Sequence, residues 1–290
     1  MKEMREMEIP TIVKWAGGKK QLLDQFKTLY PKEFNDYYEP FIGGGAVFFH
    51  LKQLDGHRKY FISDNNKDLV EVYRAVKDDI DQLIKLLETY KKNHMKNPKE
   101  HYYKIRDDFN KTTSGVERAA EFIYLNKTCF NGLYRVNSKG GFNVPIGNYK
   151  NPGIVNEKSL RKASRLLQGV EIECMPFEET LKLPKKGDFI YLDPPYHPLS
   201  ETSSFTSYTK EDFTEKDQER LLEYYKKLDR RGCLLMLSNS DTEFIKQLYR
   251  DYDLHKVKAK RAISCKGEGR GEIKELVITN YKTKKQTKLN

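Results

Sequence analysis

The sequence predicts an α/β protein built on a doubly wound, mostly parallel sheet that is interrupted by a helical insertion. Two observations support this fold class. Near both ends of the chain, short strand-like apolar runs alternate with segments of helical periodicity, which is typical of a parallel sheet covered by helices. Between them, residues 67–177 are mostly helical, basic and rich in loops. We therefore expect a sheet domain formed by 1–66 and 178–290, and a helical domain formed by 67–177.

The expected strands can be followed along the chain. In the first part, residues 37–41 end at three consecutive glycines, and the residues after these glycines are apolar enough to form a helix. A second strand is expected over 59–63 and ends at Asp64. In the last part, strands are expected over 189–192, 233–237, 254–259 and 275–281.

The expected helices lie between these strands. Three segments of the insertion have helical periodicity: 68–80, 80–92 and 116–127. Thr214 and Asp217 have the spacing of a capping box for a helix through residue 229, which Gly232 would end. Asp241 is expected to cap a further short helix that ends near residue 250.

The chain is basic, and its charge is concentrated in two segments. It has 53 Lys and Arg against 42 Asp and Glu, a formal net charge of +11. Residues 126–165 carry a net charge of +7 and residues 256–290 carry +8, which leaves −4 on the remainder. Most basic runs are solvated surface, but two concentrated segments in an otherwise slightly acidic chain favour a surface that faces phosphates.

The composition excludes several classes of protein. A content of 38% hydrophobic and 12% aromatic residues argues against disorder. No run of about 18 apolar residues predicts a membrane helix, and the first ten residues lack the apolar core of a secretory signal. The four cysteines are scattered, which indicates reduced thiols instead of disulfides or a zinc site. We expect a cytoplasmic protein with no bound metal.

The glycines after the first strand predict a nucleotide-type ligand site. Gly43 and Gly45 would let a ligand approach the backbone at the carboxyl end of that strand. Asp64 follows about 20 residues later, where an acid suits the two hydroxyls of a ribose. The pattern fits NAD, FAD or S-adenosylmethionine (SAM), and it also fits a tight turn with a surface aspartate.

A second glycine segment lies near the N-terminus, where Lys14, Trp15, Gly17, Gly18 and Lys19 follow closely on one another. It is not a phosphate-binding P-loop, because no Ser or Thr follows the Lys and the full spacing is missing. An indole beside an ammonium can contact a flat or anionic ligand. Taken alone, this segment is better explained by a core tryptophan and solvated lysines.

The tetrapeptide Asp193-Pro194-Pro195-Tyr196, at the end of the strand expected over 189–192, is the most specific feature. The two prolines lock the backbone, remove two amide donors and leave the Pro194 carbonyl free to accept a hydrogen bond. Asp193 supplies a second acceptor, and Tyr196 supplies a ring for stacking. Two acceptors can hold the two hydrogens of an exocyclic amine, such as that of an adenine flipped out of DNA.

The order of these motifs resembles the DNA adenine methylase (Dam-type) family of site-specific N6-adenine DNA methyltransferases. The resemblance covers nearly the whole chain, apart from residues 81–113. It rests on Trp15-x-Gly-Gly-Lys19, Pro-Phe-x-Gly-Gly-Gly, Asp193-Pro-Pro-Tyr196, residues 130–137 and 141–147, Leu237-Ser238-Asn239-Ser240 and residues 274–281. It implies a Rossmann-like SAM-dependent methyltransferase sheet. The SAM contacts that it implies are Trp15, Lys19, Gly43, Gly45, Asp64 and Asp193.

The resemblance also implies contacts with double-stranded DNA. Residues 130–147 would form a target-recognition hairpin. Lys14 would contact the first guanine of the site and Arg135 a later guanine, since an Arg can bond O6 and N7 of guanine together. A phosphate contact or a surface ion pair is the alternative for Arg135. The other expected contacts are Phe130 or Asn131 in the gap left by the flipped base, Leu133 and Pro145 near a thymine methyl, and Asn137.

We therefore predict methyl transfer from SAM to adenine N6 in duplex DNA, within GATC, the target of most family members. Asp193 and the Pro194 carbonyl would accept hydrogen bonds from N6, and Tyr196 would stack on the base. Cytosine-N4 methylation, an inactive DNA-binding protein and a NAD enzyme stay open as alternatives, whereas C5 methylation lacks its Pro-Cys pair. The sequence decides neither whether a cognate restriction endonuclease exists nor whether the chain is a monomer or a weak dimer.

Overall fold

The computed structural model describes residues 7–199, 213–260 and 272–283, and these ranges contain one sheet of seven strands. The strands are β1 (Tyr37–Glu39), β2 (Tyr60–Asp64), β3 (Val170–Cys174), β4 (Phe189–Leu192), β5 (Leu234–Ser240), β6 (Asp253–Lys260) and β7 (Glu272–Thr279). Their order is β3-β2-β1-β4-β5-β7-β6. Strands β1 to β5 are parallel, whereas β7 runs antiparallel to both β5 and β6. The predicted mostly parallel α/β sheet is confirmed.

Helices cover both faces of this sheet. In the described residues they are α1 (Leu23–Phe26), α2 (Ala46–Leu54), α3 (Lys67–Asp78), α4 (Ile80–Lys96), α5 (Pro98–Phe109), α6 (Gly115–Thr128), α7 (Glu157–Leu167), α8 (Phe177–Thr180), α9 (Glu215–Arg231) and α10 (Glu243–Leu248). The central strand β4 directs Phe189 and Tyr191 into one apolar core and Ile190 and Leu192 into the other. A parallel strand buried on both faces reads as a continuous apolar run, which is why β4 was evident from the sequence. No helix in these ranges is long and apolar enough to cross a membrane.

Side-chain caps explain where several helices begin and end. Thr214 and Asp217 form the predicted reciprocal capping box at the start of α9, and Gly232 ends this helix in a left-handed conformation. The prediction that Asp241 caps α10 is wrong, because Thr242 accepts the hydrogen bond from the amide of Ile245. Asp241 instead forms ion pairs with lysines, among them one with Lys246.

The sheet extends into residues 67–177, which the sequence assigned to the helical domain. Strand β3 lies in that range and pairs in parallel with β2, and α7 precedes it. Neither element was predicted, and neither was α5. The alternating sequence of β3 leaves Glu171 and Cys174 exposed, as expected of an edge strand, so β3 has no continuous apolar run. Helix α5 buries only Tyr102, Ile105 and Phe109.

Two histidines are packed among tyrosines between α4, α5 and α6. The Nδ1 atom of His94 lies 2.8 Å from the hydroxyl of Tyr124, and the ring of His101 contacts the rings of Tyr90 and Tyr124. Burial lowers the pKa of both histidines from 6.5. Both imidazoles are therefore neutral in the folded protein at neutral pH.

This packing predicts that the protein loses stability as pH falls below 6.5. Below that pH the histidines of the unfolded chain bind protons, whereas the folded histidines stay unprotonated because their pKa is lower. The free energy of unfolding therefore decreases. Urea unfolding midpoints between pH 7.5 and 5.5 would measure the slope. We expect a smaller slope for His101→Phe than for the wild type. Equal slopes in wild type and His101→Phe would contradict the assignment.

Candidate active site

The candidate site lies where the chain changes direction across the sheet. Strands β1 and β4 are neighbours, and the chain leaves β1 towards β2 on one side and β4 towards β5 on the other. In doubly wound sheets, ligands bind at the carboxyl ends of the strands at such a switch point. The glycine turn follows β1, and Asp193 follows β4 directly. The two strongest motifs of the sequence therefore meet at this edge.

The glycine turn requires glycine at two positions. Gly43 and Gly45 have φ angles of 46° and 66°, in the left-handed region. A Cβ atom at Gly45 would lie 2.6 Å from the Tyr73 hydroxyl, which itself donates to the Gly43 carbonyl at 2.9 Å. The turn therefore consists of backbone without side chains, and helix α2 begins directly after it at Ala46.

Asp64 links the end of β2 to this turn. Its Oδ2 atom accepts the Gly43 amide at 3.2 Å, and its Oδ1 atom accepts the Asn66 amide at 2.9 Å. Burial raises the pKa of Asp64, and these backbone hydrogen bonds oppose the shift. Each carboxylate oxygen has a further lone pair that can accept from a ligand hydroxyl.

Trp15 covers the glycine turn. A Cβ atom at Gly43 would lie 2.9 Å from Cδ1 of the indole, and one at Gly44 would lie 3.5 Å from Cβ of Trp15. The indole is half-buried, and its ring lies 6.3 Å from that of Tyr134 in the predicted hairpin. Trp15 therefore lines the site, beyond the ordinary core role that its local sequence suggested.

Lys19 is buried beside the tetrapeptide. It is 4% exposed, its Nζ atom lies 3.0 Å from Oδ2 of Asp193, and it also donates to the Gly17 carbonyl. The same atom lies 4.7 Å from the centre of the Tyr196 ring. The interpretation of Lys19 as a solvated lysine is wrong, because the fold of the segment after Trp15 directs its ammonium to the end of β4.

Asp193 has one carboxylate oxygen paired and one unpaired. Oδ1 is buried and has no hydrogen-bond partner among the residues that the structure describes. Burial raises the pKa of Asp193, and the Lys19 ammonium opposes that shift. A buried acceptor without a donor costs about 1–3 kcal/mol, so it indicates a site where a ligand supplies the donor.

Tyr196 is anchored from the other side of the site. Its hydroxyl donates to Glu275 of β7 at 2.7 Å, and its ring is half-buried. Burial and the nearby Asp193 raise the pKa of Tyr196 well above its ordinary value, so the phenol stays protonated. Pro194, between these two residues, is buried. The ring of Tyr196 is thereby held beside the acceptors of the tetrapeptide.

Residues 128–147 form an irregular antiparallel hairpin instead of two continuous strands. Isolated bridges join Cys129 to Ile146 and Val136 to Phe142, and the Phe130 amide donates to the Pro145 carbonyl at 2.9 Å. Asn131 has a φ angle of 54° in the short turn at the start of this hairpin. The side chain of Phe130 is 51% exposed, which is unusual for a phenylalanine beside so many buried aromatics.

The predicted DNA contacts occupy different environments on this hairpin. Arg135 donates from Nε to Oδ1 of Asn143 at 2.7 Å, which orients its guanidinium. Asn137 accepts the amides of two later residues of the turn with Oδ1, so it shapes the tip. Leu133 is half-buried against the core, whereas Pro145 is exposed.

Lys14 joins the N-terminal segment to the hairpin. Asn126 holds the Lys14 backbone with two hydrogen bonds, of 2.7 and 2.8 Å. The Lys14 side chain packs over Gly132, where a Cβ atom would lie 2.7 Å from Cδ, and its Nζ atom lies 4.2 Å from the Tyr149 ring. Tyr149 was not singled out in the sequence, because it lies just beyond the residues that carry the resemblance.

A buried acid was also missed. Glu39, the last residue of β1, is 2% exposed and accepts the Tyr37 hydroxyl at 2.6 Å. Burial raises the pKa of Glu39 well above its ordinary value, which favours the protonated form of this carboxyl group. Its position immediately before the Pro-Phe-x-Gly-Gly-Gly motif was the signal that could have identified it.

Comparisons with known proteins agree with this geometry. Residues 15–263 match the sequence profile of the D12 class N6 adenine-specific DNA methyltransferase family. The chain is 50% identical to the Type II methyltransferase M.MjaIII of Methanocaldococcus jannaschii, over 95% of this chain and 100% of that protein. It is 44% identical to the Type II methyltransferase M1.LlaDCHI of Lactococcus lactis subsp. cremoris, over 96% and 98%. It is 36% identical to the DNA adenine methylase of Escherichia coli K12, over 91% and 93%. The chain belongs to the D12 class of N6 adenine-specific DNA methyltransferases and is an enzyme that methylates adenine in DNA.

Proposed function

We propose that this enzyme transfers the methyl group of SAM to N6 of an adenine that is flipped out of duplex DNA, within the sequence GATC. The observation that carries the proposal is the unpaired Oδ1 of Asp193, buried beside the Tyr196 ring at the switch point of the sheet. An exocyclic amine would supply the missing donor. The amine of cytosine could fill the same acceptor, and membership of the N6 adenine-specific family is what favours adenine.

The residues around the glycine turn fit SAM. The turn offers the close backbone approach that a nucleoside needs, and Asp64 lies where the ribose hydroxyls would be. Trp15 would cover the cofactor, and the buried Lys19 would hold Asp193 in one orientation. When bound, SAM supplies a methyl group on a sulfonium, which is already activated for transfer.

The tetrapeptide would orient the amine and increase its nucleophilicity. Asp193 Oδ1 and the Pro194 carbonyl would each accept one hydrogen bond from N6, which would increase electron density on the nitrogen. As the bond from N6 to the methyl carbon forms, the carbon–sulfur bond would break, a neutral thioether would leave, and N6 would release one proton to solvent. The Tyr196 ring would stack on the base and exclude water from it. Preorganised acceptors of this kind contribute because they need no rearrangement during the reaction. No covalent bond between enzyme and base is needed.

Adenine in a duplex is paired through N6, so it would have to leave the helix to reach Asp193. Apolar side chains can occupy the space that such a base leaves. Phe130 is suited to this role because it is exposed at the edge of the basic hairpin. Lys14 and Arg135 would contact guanines, with Leu133, Asn137 and Pro145 nearby, and Asn131 beside the vacated space.

Arg135 provides a test of base reading. Arg135→Ala should cost about 1–3 kcal/mol on GATC and relax discrimination at a single base pair, since one bidentate contact is lost. Lys139→Ala is an exposed control on the same hairpin and should weaken binding to every duplex alike. It should also reduce the slope of log binding constant against log salt concentration by about one. Methylation rates on duplexes with each position of GATC altered would be measured. Equal losses on all duplexes would identify Arg135 as a phosphate contact.

The proposed reaction can be tested directly. The enzyme would be incubated with SAM carrying a labelled methyl group and a duplex with one GATC, and the nucleosides would be analysed by mass spectrometry. We expect label in N6-methyladenine, and little label when GATC is altered. Label in N4-methylcytosine would overturn the proposed target, and DNA binding without SAM binding would support an inactive protein.

We further propose that the enzyme acts in the cytoplasm, on DNA, as a monomer or a weak dimer. Two of the relatives are named Type II methyltransferases, which supports a role in a restriction–modification pair with a cognate endonuclease. We also assign SAM binding to the part of the chain that forms the sheet, and target recognition to the helices and hairpin within 67–177.

A further inference from the structure

The backbone that follows Asp193 is held by two buried amide side chains from other elements. Gln218, in the first turn of α9, donates from Nε2 to the Pro195 carbonyl at 2.9 Å. Asn239, in β5, accepts the amide of His197 at 3.1 Å and donates to Oε1 of Gln218 at 3.1 Å. Both side chains are 0% exposed, so these hydrogen bonds do not compete with water.

The same strand holds the loop at one more point. The Ser240 hydroxyl donates to the His197 carbonyl at 2.7 Å, and its own amide donates to Asn239 at 2.9 Å. The polar backbone groups of Pro195 and His197 are therefore tied to α9 and β5. None of these bonds uses the carbonyl of Pro194, the second acceptor in the proposed function.

The two prolines make this support important. Neither Pro194 nor Pro195 has an amide hydrogen, so this stretch cannot be held through N–H donors of its own. Its position depends on what its carbonyls accept and on the amide of His197. Gln218 and Asn239 satisfy two of these groups, and they are joined to each other by a hydrogen bond. Loss of either amide would free the backbone directly after the acceptors.

We propose that Gln218 and Asn239 are positioning residues for methyl transfer, which fix the Asp193 carboxylate and the Pro194 carbonyl at the spacing that the target amine requires. The inference rests on the proposed function, because it takes these two groups as the acceptors of N6. Neither Gln218 nor Asn239 needs to touch the substrate. Misplacing reacting groups by about 1 Å can cost on the order of a hundredfold in rate.

The first variant is Gln218→Met, which keeps the length of the side chain and removes the amide. We expect the single-turnover rate constant to fall roughly 10- to 100-fold. The Kd values for SAM and for DNA should stay within about a factor of two, a change worth less than 0.5 kcal/mol. Gln168→Met is the control for the loss of an amide away from the site, since the exposed Gln168 donates to the Lys77 carbonyl at 2.9 Å, just before the edge strand β3. This control should react at the wild-type rate.

The second variant, Gln218→Glu, uses pH as the readout. At pH 8 its carboxylate would face the Pro195 carbonyl, and two acceptors repel each other. As pH falls, the side chain gains a proton and can again donate to that carbonyl. The rate relative to wild type should therefore rise between pH 8 and pH 6 for Gln218→Glu but not for Gln218→Met. A role in packing alone would not produce this recovery.

The outcomes separate this inference from the proposed function. If Gln218→Met methylates at the wild-type rate, or slows only as far as its folded fraction or its ligand binding is reduced, the positioning role is wrong. If Gln218→Met does not fold, a flat pH ratio for Gln218→Glu would equally overturn the role. Failure of the proposed function would look different: the wild-type enzyme itself would leave adenine N6 unlabelled.

Discussion

Asp193→Ala is expected to reduce the rate of methyl transfer by about two to three orders of magnitude, as is typical when an oriented group that stabilises developing charge is lost. The variant loses the unpaired Oδ1 acceptor at the end of β4 and leaves only the Pro194 carbonyl for the amine. Single-turnover methylation of a GATC duplex would measure the loss. DNA binding should persist, because the substitution changes none of the proposed DNA contacts on the basic hairpin. A folded Asp193→Ala enzyme with near wild-type activity would disprove the mechanism.

The ion pair with Lys19 complicates this variant in a way that can be controlled. Lys19 is 4% exposed, so removal of Asp193 leaves a buried ammonium without its partner and lowers the stability of the fold. The double variant Asp193→Ala with Lys19→Met removes both charges. We expect it to recover thermal stability relative to Asp193→Ala while remaining inactive. Recovery of activity together with stability would mean that Asp193 acts only through folding.

Gly45→Ala is expected to have the second largest effect, on SAM affinity. The new methyl group would lie 2.6 Å from the Tyr73 hydroxyl and 3.1 Å from the Phe49 ring, so the turn would have to move. Backbone strain of this kind costs about 1–3 kcal/mol. If that cost falls on the binding conformation, the Kd for SAM should rise roughly 10- to 100-fold. Isothermal titration with SAM in the absence of DNA would measure it.

Gly169→Ala is the matched control for this substitution. Gly169 also has a positive φ angle, of 71°, but a Cβ atom there would meet nothing within 4 Å. Both variants therefore carry the cost of a left-handed alanine, and only Gly45→Ala adds the steric conflict at the turn. Equal SAM affinities for the two variants would show that the glycine turn does not contact the cofactor.

The sequence predicted an element correctly where neighbouring residues carried its pattern, and it missed an element where exposed residues interrupted that pattern. The central strands β1, β2, β4 and β5 were found because apolar runs bounded by Gly or Asp mark buried parallel strands. The capping box of α9 was found because two residues three positions apart define it. The edge strand β3 and the helix α5 were missed because exposed positions interrupt their apolar patterns.

The sequence by itself determined which two motifs lie at the candidate site, because both motifs are contiguous. Adjacent residues form the glycine turn after β1, and adjacent residues form the acid followed by two prolines after β4. The order of these motifs along the chain was enough to indicate the family. The resemblance likewise named the residues of the hairpin. These inferences need only short-range geometry, since glycine and proline restrict the backbone at their own positions.

Only the tertiary structure decided which distant side chains meet. The burial of Lys19 against Asp193, the packing of Trp15 over Gly43, and the cation–π contact of Lys14 with Tyr149 each join segments far apart in the chain. So do the amides of Gln218 and Asn239 behind the tetrapeptide. No periodicity records such pairs, because their formation depends on how the helices and strands pack and on which buried polar groups need partners.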